Sequence, residues 1–275
     1  MKIAVLQMPT LSMSGSRIDY YLKIAADNGA KIALLGEYVC NSFFTELIKM
    51  PPSMIKEQSK HKISLFTDLS KKYNLNIIAP IVQVKSKKIY KMIAKFGPKS
   101  VKFWEQNFLI NYSHWDEEKF FANHCKKENE ENFKKIKNIE LPTFWLDGVK
   151  FGVICGFEAH FDATWQYFMK KNVDCILMPT ASTFDSNERW NELLKIRAWT
   201  NLLFIIRANR IGKAEFDDKN YEFYGESMLI SPFGEISNSL KKNEGIMIAE
   251  ISKTELKNAQ KLWKFREILN KKGLI

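Results

Sequence analysis

The sequence predicts an α/β layered fold, and three features of the pattern lead there. Short apolar, β-branched-rich runs alternate with longer amphipathic stretches from end to end, so helices cover sheet faces and the two types are not segregated. No Pro/Gly/Ser-rich linker interrupts the alternation, which predicts one domain over residues 1–275. With 45% hydrophobic and 27% charged residues, the chain has the composition of a globular protein large enough to bury its own core.

In chain order, the runs Ile3 to Leu6, Lys31 to Leu35, Asn76 to Val84, Phe151 to Cys155, Asp174 to Met178, Leu202 to Ala208, Ser227 to Ile230 and Gly245 to Ile251 read as buried strands. Arg17 to Asp27, Met54 to Lys72, Ala163 to Lys171 and Glu188 to Asn201 read as helices. The polar stretch Lys126 to Asn138 reads as a charged, solvated insertion.

Several function classes fall away at this level. The formal charge of +11 is spread over scattered lysine pairs without an aromatic-interleaved basic stripe, so nucleic acid is not the expected partner. Cys40, Cys125, Cys155 and Cys175 form no CxxC pair, and His114 and His160 lack ligand spacing, so neither a zinc site nor a disulfide scaffold is expected. Walker and Rossmann glycine patterns are absent, and no cofactor is expected. The opening MKIAVLQMPT is too short an apolar region for a secretory signal, and no run approaches the ~20 apolar residues of a membrane span. A cytoplasmic protein without membrane association is the expectation.

Reactive groups of an α/β protein sit at strand ends. Glu37 follows the strand ending at Leu35, where an apolar environment raises a carboxyl pKa and suits a general base. Gly148 to Glu158 is a glycine-bounded turn, a strand and a sharp polar exit, the shape of a nucleophile elbow; Asp174 to Ser182 ends in Pro and small polar residues suited to lining a pocket.

The order and spacing of these segments resemble the carbon-nitrogen hydrolase (nitrilase) superfamily over almost the whole chain. Lys2 to Gln7 resembles its first strand, and Asn28 to Glu37 its "GA-strand-PE" segment with Gly36 in place of Pro. Gly148 to Phe161 resembles the nucleophile segment, and Asp174 to Ala181 the "A-strand-P-small" segment. Arg197 to Asn201, Ala208 to Gly212, Tyr224 to Met228 and Pro232 to Glu235 follow in the family's order. The resemblance implies a four-layer α-β-β-α sandwich, a homodimer or higher homo-oligomer, and a small amide, carbamoyl compound or carboxylate as ligand.

It also implies a Glu base, a Lys beside the developing oxyanion and a Cys nucleophile, usually with a second Glu. Glu37 matches the base. The family's Tyr-Arg-Lys pattern falls on Trp104-Glu105-Gln106, which puts neutral Gln106 at the lysine position. Glu118, in Glu118-Lys119-Phe120, matches the second carboxylate, with Glu117 as the alternative one residue away. In a gapless alignment from Gly148 the nucleophile position is Gly156, with Glu158 on the acidic residue two places later. Cys155 reaches the site only through a one-residue slip, which turns a strand side chain to the opposite face. The expectation is an amidase-type homologue with an incomplete triad, weakly active or inactive, that retains its pocket. The alternatives are an amide or N-carbamoyl amide hydrolase using Cys155 through a local bulge, and a noncatalytic scaffolding subunit.

Overall fold

The computed structural model describes residues 1–112, 115–123, 140–183, 186–216 and 219–275. His114, Cys125 and the charged insertion Lys126 to Asn138 lie outside them.

The chain begins with β1 (Lys2–Gln7), α1 (Ser16–Asp27), β2 (Ile32–Leu35), α2 (Phe44–Ile48), α3 (Pro52–Tyr73), β3 (Asn76–Lys85), β4 (Lys88–Phe96) and β5 (Val101–Glu105). Two short strands, β6 (Asn111–Tyr112) and β7 (Trp115–Asp116), precede β8 (Thr143–Leu146) and β9 (Val149–Val153). A 3-10 turn over Gly156–His160 leads to α4 (Asp162–Lys170), β10 (Cys175–Thr180), α5 (Asn187–Asn201) and β11 (Phe204–Asn209). The remainder is a hairpin of β12 (Ile211–Phe216) and β13 (Lys219–Tyr224), then β14 (Met228–Ile230), β15 (Ile236–Ser239), β16 (Gly245–Glu250), α6 (Lys253–Trp263) and α7 (Phe265–Lys271).

Two six-stranded sheets result, ordered β16-β1-β2-β3-β4-β5 and β15-β14-β11-β10-β9-β8. Each has a parallel centre, β1-β2-β3 in one and β9-β10-β11 in the other, and antiparallel flanks. Alternate residues explain the layers. Ile3, Val5, Ile32 and Leu34 meet Phe151, Val153, Leu177 and Ile206 in a core between the sheets. Ala4, Leu6, Ala33 and Leu35 face the helix side with Ile18, Leu22 and Phe66 of α1 and α3. Ile176 and Ile205 face Phe168, Leu194 and Ala198 of α4 and α5. Sheets covered on both faces need unbroken apolar runs in their central strands, which is why those strands were legible. The architecture is the expected α-β-β-α sandwich.

The structure adds elements that the apolar-run reading omits, notably β4, β5, β8, the β12–β13 hairpin, α6 and α7. Lysines or isolated polar residues break their apolar patterns, as in Lys88-Ile89-Tyr90-Lys91-Met92-Ile93-Ala94-Lys95-Phe96. The expected strand Phe151 to Cys155 is also displaced: β9 ends at Val153, and Cys155 caps the 3-10 turn that follows.

Candidate active site

The two sheets bring their strand ends together where β2 gives way to Glu37. The Glu37 N–H donates to Thr180 O at 3.1 Å, and the Arg210 N–H donates to the same oxygen at 3.2 Å. Gly36 permits this approach, since a Cβ there would stand 2.9 Å from Arg210 N and 3.0 Å from Thr180 O. The next residue but one, Tyr38, has φ +57°, a left-handed conformation that a bulky side chain adopts only under tertiary constraint. The constraint is visible at its far end, where the Tyr38 hydroxyl donates to Glu117 Oε1.

Glu37 is the centre of a buried ionic network. Its Oε1 accepts the Gly156 N–H at 3.1 Å, and its Oε2 lies 2.6 Å from Lys91 Nζ. The same ammonium lies 2.7 Å from Glu117 Oε1, with the Tyr38 ring centre 4.6 Å away. Glu117 Oε1 also faces the Trp115 Nε1–H at 3.5 Å, while Oε2 accepts the Ile110 N–H at 3.3 Å. Asn123 fixes the strand that carries Lys91, accepting from Lys91 N at 2.9 Å and donating to Lys91 O at 2.7 Å.

One ammonium between two carboxyls leaves a surplus negative charge that a dry site resists. Burial is the largest influence on Glu37 and raises its pKa above the ordinary glutamate value, with Lys91 opposing and Glu117 reinforcing. Burial disfavours the Lys91 ammonium as well, but the fields of Glu117 and Glu37 outweigh it and hold its pKa well above the usual lysine range. Lys91 is therefore charged, and Glu37 is the carboxyl poised to exchange a proton.

The residues matched through the resemblance divide clearly in space. Glu37 and Gly156 are in contact and line one cavity of about 640 Å³. Gln106 is buried beside the network, but its Nε2 turns back to Phe108 O at 2.8 Å and its Oε1 finds no partner. Glu118 does not join the cavity lining; its Oε2 accepts from Asn111 Nδ2 at 2.8 Å, and Glu117 is the carboxylate that meets the ammonium. The turn after Trp115 explains this, for it directs Glu117 inward and leaves Glu118 half-exposed.

Cys155 is fully buried and packs with Val153, Leu177 and Ala208 between the sheets. Burial, reinforced by Glu37 and Glu158, pushes its thiol well above the ordinary range, the opposite of what a nucleophilic thiolate needs. Glu158 binds this turn to the end of β5: its Oε2 accepts Cys155 N at 2.8 Å, and its Oε1 accepts Asn107 N at 2.9 Å and Phe108 N at 3.4 Å. Burial raises the Glu158 carboxyl to about 7, against the pull of these three backbone donors.

Lys91 and Tyr38 were not reached from the sequence, whereas Thr180 falls in the segment Asp174 to Ser182 read there as a pocket lining, and it lines the cavity. The signal for Lys91 was a lysine beside the apolar Met92-Ile93-Ala94, in a hairpin whose apolar alternation is broken by lysines. Among the described residues no group of three His, Cys, Asp or Glu side chains could hold a metal ion, and no helix is long and apolar enough to cross a membrane.

Comparison with known proteins agrees with this architecture. The Omega-amidase NIT2 of Xenopus tropicalis is 22% identical over 255 residues, covering 90% of this chain and 86% of that protein. N-carbamoylputrescine amidase of Oryza sativa subsp. japonica is 30% identical over 90 residues, a partial match covering 31% of this chain and 30% of the relative. The crystal structure of a carbon-nitrogen hydrolase from Helicobacter pylori G27 superposes with a TM-score of 0.82 at 18% identity, covering 97% of this chain and 94% of that one. The model of the carbon-nitrogen hydrolase family matches residues 2–261. With the two sheets, their helix layers and the Glu37 cavity in place, the chain belongs to the carbon-nitrogen hydrolase family.

Proposed function

We propose that this protein is an amidase-type carbon-nitrogen hydrolase homologue that binds a small amide, carbamoyl compound or carboxylate without the thiol chemistry of acyl transfer. The observation that carries the reading is Gly156. It presents a backbone N–H to Glu37 at 3.1 Å where an acyl-forming mechanism requires a side-chain nucleophile. Cys155, one residue away, packs between the sheets with a raised pKa and makes no hydrogen bond to Glu37 among the described contacts. The base, an ammonium and a second carboxylate remain together, so a carbonyl group can still be bound and polarised.

Hydroxylamine trapping and thiol labelling of the intact protein test this. Incubation with simple amides and N-carbamoyl compounds is expected to give no acyl-enzyme and no native-state labelling of Cys155, while the ligand that fits raises the melting temperature. Amide turnover that disappears in Cys155→Ala would overturn the reading. The proposal includes a homodimer as the minimal unit, as the family resemblance implies; sedimentation that finds only a 32.1 kDa species removes that part.

A further inference from the structure

Beneath the wall of the cavity lies a charge that no carboxylate contacts: the field of Glu226 reaches it, but the two form no ion pair among the described residues. Arg207 on β11 is fully buried. Its Nε donates to Thr180 Oγ1 at 3.1 Å and its Nη2 to the Tyr224 hydroxyl at 2.8 Å, but Nη1 has no hydrogen-bond partner. Its guanidinium carbon stands 5.2 Å from the Trp190 ring centre and 5.4 Å from that of Tyr224. Among the described residues it makes no ion pair. Arg207 is thus lodged directly behind Thr180 and Trp190, and both of these line the cavity that holds Glu37.

Fully buried cations in proteins are ordinarily paired, because hydroxyls and aromatic rings do not neutralise a full charge. A guanidinium does not escape by losing its proton. Glu226 offsets the charge only from a distance, so room remains for a nearer anion, and the space adjoining the guanidinium through Thr180 and Trp190 is the cavity. Its other features agree. Arg189 lines it and makes no ion pair among the described residues, and the single acidic side chain among its described lining, Glu37, already meets Lys91.

We infer that the cavity takes a small ligand bearing a carboxylate, oriented with the carboxylate toward the Thr180–Trp190 wall and its neutral end toward Glu37. Arg207 is the buried charge that selects the anion and Arg189 the basic group on the cavity surface. A fixed buried charge acts across one layer of side chains, so direct contact with Nη1 is not required. The same arrangement repels a ligand with an ammonium tail. This inference rests on the reading of the cavity as a ligand site and names the ligand's charge.

Isothermal titration of the intact chain with propionate, propionamide and propylammonium separates the possibilities, since the three have similar size and differ in charge. Propionate should bind about tenfold or more tightly than propionamide, and propylammonium should bind weakest. Arg207→Met should abolish the preference for propionate over propionamide, and Arg207→Lys should keep most of it. A merely structural Arg207 would lower the melting temperature on substitution and leave that preference unchanged, which overturns the inference. Should Arg207→Met fail to fold, Arg189→Gln gives a second measure, expected to weaken propionate several-fold and to leave propionamide alone. Propionamide binding as well as propionate refutes the anion preference while the ligand-site reading stands. No saturable binding by any of the three refutes both.

Discussion

The two halves of the site meet the pattern that the family resemblance implies in different ways. On the first sheet, the resemblance aligns the lysine with Gln106, and the structure places an ammonium nearby, because Lys91 on the neighbouring strand β4 reaches Glu37 at 2.6 Å and Glu117 at 2.7 Å. The two strands are joined where Gln106 N donates to Lys91 O at 3.1 Å. On the second sheet, the resemblance aligns the nucleophile with Gly156, and in the reading proposed above no described neighbour takes its place. A Cβ at 156 would stand 2.9 Å from Thr180 Cγ2, so a methyl group has taken up part of the room a cysteine would need. A charge can be delivered from any adjacent strand, because a long side chain and a short-range field suffice. A nucleophile must stand at one point with one direction of attack, and a neighbour cannot supply it from another backbone position.

The largest expected effect tests the first half of that contrast. Lys91→Met leaves Glu37 and Glu117 facing each other in a dry site and should destabilise the protein by about 3–5 kcal/mol in urea unfolding at pH 7. The loss should shrink as the pH falls and Glu37 takes up a proton. Gln106→Leu removes the side-chain hydrogen bond to Phe108 O and should cost about 1 kcal/mol. Equal costs would mean that the ammonium has not moved to Lys91 in any energetic sense.

Glu158 gives the next effect, and it is read against pH. Burial raises its carboxyl from 4.5 to about 7, so the folded protein binds the proton more tightly than the unfolded chain. Its contribution to stability is complete below about pH 4.5, declines as the pH rises, and is gone above about 7. The gap corresponds to about 3 kcal/mol across that window. Glu158→Gln should be flat over the same range and lower throughout, because an amide offers one acceptor oxygen where Glu158 answers donors with two. A wild type no steeper than this variant would place the Glu158 pKa in the ordinary range.

The second half of the contrast is tested by rebuilding the nucleophile. Thr180 cannot easily turn away, since its Oγ1 accepts from Arg207 Nε at 3.1 Å and donates to Asn209 Oδ1 at 2.9 Å. Gly156→Cys alone should therefore cost about 1–3 kcal/mol by overpacking. Adding Thr180→Ser, which keeps the hydroxyl and removes the methyl, should recover most of it. Compared with Cys40, Cys155 and Cys175, all buried, only the thiol at 156 should react with iodoacetamide in the folded protein. Because Lys91 already supplies an ammonium, Gln106→Lys should add a second buried charge and little reactivity. If Gly156→Cys is as stable as wild type, Thr180 is not the obstacle.

Much of the fold was legible because its central strands are buried on both faces, and Ile32 to Leu35 or Cys175 to Thr180 cannot be mistaken for anything solvated. Glu37 and Gly156 were legible by position in such strands and the turns that leave them. What escaped was whatever depends on a side chain crossing between strands. Lys91 lies in a hairpin whose lysines mask its alternation, and nothing local distinguishes it from the surface Lys88. The choice between Glu117 and Glu118 turns on the inward twist of a short segment after Trp115, which one residue of register decides. Arg207 sits in an apolar strand where the residues around it predict burial, but the orphan Nη1 is visible only once Thr180, Trp190 and Tyr224 are placed around it.

The smallest expected effect bears on the nearest rival to Gly156. Cys155→Ala removes one sulfur from a packed layer between Val153, Leu177 and Ala208, where the thiol donates no hydrogen bond to Glu37 among the described contacts. The cost should be about 1 kcal/mol, that of a small cavity in a site with little room to collapse. Ligand affinity should stay within twofold of wild type, because the cavity that holds Glu37 and Gly156 is lined without Cys155. This separates two readings that differ by one residue in register. If Cys155 serves the chemistry, its removal leaves stability nearly intact and eliminates turnover. If it is a core residue, its removal is felt in urea and nowhere in the pocket. Iodoacetamide provides the independent check: wild type should react at Cys155 only at the rate at which the sheets separate, and that rate should rise with urea in step with unfolding.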